Sequence, residues 1–71
     1  MQPNEQAEIL IQRYEYFIQG LHSKEFHRDN YKQIRQTAKD CAIFTATQGQ
    51  KTSDIRGFNY WSDVIEIITQ I

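Results

Sequence analysis

Along residues 7–21 apolar side chains recur at the three- and four-residue spacing of an α-helix. Ala7, Leu10, Ile11, Tyr14, Phe17, Ile18 and Leu21 fall within an arc of about 120°, the width of a stripe that faces a core. Pro3 suits the opening turn, Asn4 is a candidate cap, and Glu5 and Glu8 sit near the positive end of the helix dipole. Gly20 fits a left-handed position that would stop this helix, with Leu21 folding back to touch Tyr16. A second helix is predicted from about Asp29 to Thr47, after a short turn at residues 23–27, with Ser23 or Asp29 as its cap. Its stripe is Tyr31, Ile34, Ala38, Cys41, Ala42 and Thr45. Such small side chains let helix axes approach closely, so this segment is expected at the centre, with Gly49 ending it.

Residues 49–58 are polar, bounded by glycines, and read as a connection with one helical turn around Asp54, Ile55 and Arg56. Asn59 then caps a third helix, Tyr60 to Ile71, with Trp61, Val64, Ile65, Ile68 and Ile71 at helical spacing. The run Val64-Ile65-Glu66-Ile67-Ile68 is also rich in β-branched residues. A strand over residues 63–69, paired with 42–47, would make the fold α+β. The expectation adopted is an all-α, three-helix bundle spanning residues 1–71 as one domain, closed by Trp61.

Composition sharpens this picture. With 71 residues, 39% of them hydrophobic, and a mean hydropathy of −0.69, the chain has material for one lean core. A lone Cys41 cannot form an internal disulfide, and His22 and His27 have no cysteine pair to complete a zinc site. Small scaffolds without such staples are commonly completed by a partner or a second subunit. The polar start, Met1 to Gln6, resembles neither a secretory leader nor a membrane span. One free thiol and no export signal point to the reducing cytoplasm.

No enzymatic constellation is visible. His22 and Ser23 are adjacent and lack an acidic partner at a diagnostic spacing, and a loop histidine is the simpler reading. His22, Glu25, His27 and Asp29 match no metal-ligand pattern, and Cys41 lies on an apolar stripe where a thiol behaves as a small hydrophobe. Gly20, Gly49 and Gly57 are isolated, so no phosphate loop is present, and no cofactor or metal is expected. Gly49, Ile55 and Phe58 have the spacing of a helix-turn-helix, but Gly57 would fall within its recognition helix.

Charge offers one local signal. The formal net charge is −1, so bulk attraction to polyanions is absent. Yet Lys24, Arg28, Lys32, Arg35 and Lys39 are spaced by three or four, and on one continuous helix they would form a strip about 80° wide. Such a strip can follow phosphates, and it also describes a solvated flank partly neutralised by Glu25 and Asp29. The stronger signal is surplus apolar surface. Ile9 and Tyr16, with Arg13 between them, project opposite the core stripe of the first helix, and Tyr60 and Ile67 widen the apolar arc of the third. The sequence therefore predicts a non-enzymatic protein-interaction module that self-associates as a homodimer and acts as a regulator or inhibitor by docking on a larger protein. Ile9, Arg13, Tyr16, Tyr60 and Ile67 are its expected contacts. A nucleic-acid binder using the five basic residues is the alternative.

Overall fold

Pro3 is the first residue of a 19-residue helix, α1 (Pro3–Leu21), where its fixed φ and missing N–H cost nothing. It is followed by a six-residue helix, α2 (Lys24–Asp29), a long helix, α3 (Tyr31–Thr52), and a closing helix, α4 (Ile55–Gln70). The structure, a computed structural model, describes residues 1–21 and 24–71, and the backbone alone at residues 25–27. Three long helices pack against one another, and no strand is present among the described residues, so the α+β alternative for residues 63–69 is overturned. The β-branched run accommodates to a helix because Trp61, Val64 and Ile68 share one face directed at the core.

Several boundaries differ from those expected. α1 continues through Gly20 to Leu21, and no glycine has positive φ, so Gly20 is a helical residue and not a left-handed stop. The second helical region breaks at Asn30, where φ −123° and ψ 25° leave helical space; Asp29 and Asn30 are both weak helix formers. The carbonyl of Asn30 accepts the Ile34 N–H at 2.9 Å, starting α3. At its other end α3 runs past Thr47 and through Gly49 to Thr52, with Ser53 extended behind it.

The expected ten-residue connection after Gly49 is consequently almost all helix. Asp54 caps α4: its Oδ1 accepts the backbone N–H of Gly57 at 2.9 Å, and the Asp54 carbonyl accepts the Phe58 N–H. α4 thus starts five residues before Tyr60, and Asn59 lies within it. A side chain on Gly57 would place Cβ 2.3 Å from Ser53 Cβ, which explains a glycine in a capped first turn.

The central core consists of Ala7, Leu10 and Ile11 from α1, Ala38, Ala42 and Ala46 from α3, and Val64 and Ile68 from α4. Helix α3 is central, as its alanine spacing implied: it supplies a smooth face, and the other two helices supply the bulk. α4 doubles back on α3, with the Trp61 indole lying over Gly49 and Gln50 Nε2 donating to Ser62 Oγ at 2.7 Å.

That register leaves the helices staggered. From Ser62, seated at Gln50, the chain has nine residues to Ile71, and at about 1.5 Å per residue these carry α4 back only to the neighbourhood of Asp40. The first turns of α3 and the last turns of α1 therefore project past the end of α4. The molecule is 44 × 20 × 17 Å, and Ile34, although buried, lies outside the central cluster. The radius of gyration, 13.1 Å, exceeds the about 11 Å of an average compact chain of this length, as stagger requires.

Candidate interaction surface

At the projecting end, α1 and α3 are joined by polar contacts. Arg35 Nη1 donates to Glu15 Oε1 at 2.5 Å, with the two side chains 31% and 19% exposed. The hydroxyls of Tyr14 and Thr45 pair farther along the same interface. Both contacts fix α1 against α3, and the Arg35–Glu15 pair does so beyond the reach of α4. A charge-assisted bond this sheltered is worth more than a surface ion pair. In a double-mutant cycle of Glu15→Gln and Arg35→Gln, a coupling of about 1 kcal/mol is expected in urea denaturation; additive losses would mean the pair does not hold the helices together.

Toward the same end of the molecule lie three large apolar residues that the periodicity assigned to the core. Phe17 is 65% exposed, Leu21 64% and Tyr31 61%, a correction to their expected burial. The reason is the stagger. Pro3, Leu10 and Phe17 recur at seven-residue intervals on α1, and Pro3 lies beside α4, lining a shallow cavity with Asn4, Asp63, Glu66, Ile67 and Gln70. Phe17 and Leu21 continue that α4-facing side beyond the point where α4 ends. Tyr31 begins α3 at the same end of the molecule. Periodicity identified the correct faces; the signal that these turns lack cover is the shortness of the helix expected from Tyr60 to Ile71 relative to the one expected from Asp29 to Thr47.

The residues expected to form a contact surface are divided between different surroundings. Tyr16 is 75% exposed and Arg13 is exposed, both on the outer side of α1, while Ile9 is half-buried. Tyr60 and Ile67 are half-buried and pack against the central core, Tyr60 also meeting the Trp61 ring edge-on with centroids 5.3 Å apart. Part of the surplus inferred for the third helix is thus consumed inside the subunit. Tyr16 stands next to Phe17, so the outer side of α1 and the uncovered end adjoin.

The basic residues do not form the continuous strip expected. Lys24 and Arg28 belong to α2, and Lys32, Arg35 and Lys39 to α3, with the break at Asn30 between them. Arg35 is committed to Glu15, and Arg28 Nε lies 3.9 Å from Asp29 Oδ1. The helix-turn-helix reading also falls, because Gly49 is inside a helix, and Ile55 and Phe58 are exposed instead of anchored.

Cys41 is a half-buried free thiol. Among the described residues no group of three or more histidine, cysteine or carboxylate side chains is placed to hold a metal. His22 and Ser23, and the side chains of Glu25 and His27, lie outside the described residues. No described helix is long and apolar enough to cross a membrane. No family model, curated protein or solved structure matches this chain.

Proposed function

We propose that this chain is a non-enzymatic protein-interaction module of the cytoplasm, which associates with itself and acts as a regulator or inhibitor by docking on a larger protein. One observation carries this reading: Phe17, Leu21 and Tyr31 stand on core-facing stripes and are nevertheless mostly exposed at one end of the bundle. Apolar side chains that belong to core-facing stripes and remain exposed support a reading of this end as an interaction site. The solvent-accessible surface, 5151 Å², is about a tenth above the value expected for a folded monomer of 8.5 kDa, so the isolated subunit buries less than its size allows. Tyr16 and Arg13 add, on the adjoining side of α1, two residue types that dominate interface cores.

Affinity capture from the native host, read by mass spectrometry after nuclease treatment, tests the docking half of this reading. A protein retained in stoichiometric amount by the natural chain and lost with Arg13→Glu plus Tyr16→Asp is the expected result. Retention of nucleic acid alone, weakening steeply with salt, would transfer the function to Lys24, Arg28, Lys32, Arg35 and Lys39. Recovery of neither would remove the docking role.

A further inference from the structure

We draw no further inference here: the strongest candidate, the apolar surface patch of Phe17, Leu21 and Tyr31 left exposed at the end of the α1–α3 pair beyond α4, carries nothing because no feature of the structure shows what covers it.

Discussion

Truncating Ile68 to alanine is expected to lower the stability of this protein by about 3 kcal/mol, a large part of the roughly 4–10 kcal/mol typical of a chain this long. Ile68 is fully buried and, with Ile11 and Val64, is one of the largest side chains with no solvent exposure. The core face that α3 presents is made of Ala38, Ala42 and Ala46, which cannot extend to fill a void. The surrounding helices would have to move closer, and the α3–α4 approach is already limited by the indole on Gly49. The loss therefore includes both the transfer term and a cavity term that relaxes little. In thermal denaturation the midpoint should fall by about 12–24 °C. Ile55→Ala supplies the comparison: the same substitution in the same helix, at a residue 80% exposed, should change stability by less than about 0.5 kcal/mol. Both variants are to be measured at one fixed protein concentration, since association would add to apparent stability. A loss below about 1 kcal/mol for Ile68→Ala would mean that the alanine-faced seam is not where the fold is held.

The difference between Ile55 and Ile68 also shows what the sequence makes legible. Spacing places Ala7, Leu10, Ile11, Ala38, Ala42, Val64 and Ile68 on their core faces, and each is buried. It also identifies α3 as central, since only a helix with small residues on its inner face can be approached from two sides. Periodicity specifies a face, however, and not how far along that face a neighbouring helix extends. Phe17, Leu21 and Tyr31 obey the same rule as Ile11 and are exposed because α4 stops short of them. That property belongs to the register between helices, which is set by contacts such as Trp61 on Gly49 and Gln50 on Ser62. No local pattern contains it.

The glycines mislead for a related reason. Gly20, Gly49 and Gly57 read as punctuation, because a glycine in a helix interior is less favourable than alanine by about 1 kcal/mol and so marks ends more often than middles. Here two of the three are required by close approach inside helical segments: Gly49 beneath an indole and Gly57 against Ser53. The cost in propensity at each is offset by a contact that no other residue permits. Reading them as stops shortened α3 by a turn and delayed α4 by five residues, which in turn created a loop and a helix-turn-helix pattern where neither exists. The exposure of the expected contact residues was partly legible for the same physical reason. Tyr16 and Arg13 lie away from the stripe and are exposed, whereas Tyr60 and Ile67 lie at the stripe's margin, where adjoining helices decide how much of each is covered.

Introducing a side chain at Gly49 is the second change expected to have a large effect. A Cβ there would lie 2.5 Å from Trp61 Cε2, 2.6 Å from Nε1 and 2.7 Å from Cδ2, distances that no real contact tolerates. The ring cannot simply lift, because it packs against the central core and meets Tyr60 edge-on. Gly49→Ala gains about 1 kcal/mol in helix propensity and still should be destabilising, by about 1 kcal/mol net, because overpacking of this kind costs about 1–3 kcal/mol. Gly49→Leu, which projects three further carbons into the ring, should lose about 3 kcal/mol or more and expose the indole, read as a red shift of tryptophan emission. The chain contains one tryptophan, so the signal is unambiguous. Changing Trp61 to leucine removes the obstruction and should reverse the sign of Gly49→Ala: in that background the alanine becomes neutral or stabilising, as it should be at Gly20, where nothing lies within 4 Å of a built Cβ. If Gly49→Ala is stabilising with Trp61 in place, the indole does not rest on α3, and the register that leaves Phe17, Leu21 and Tyr31 uncovered loses its anchor.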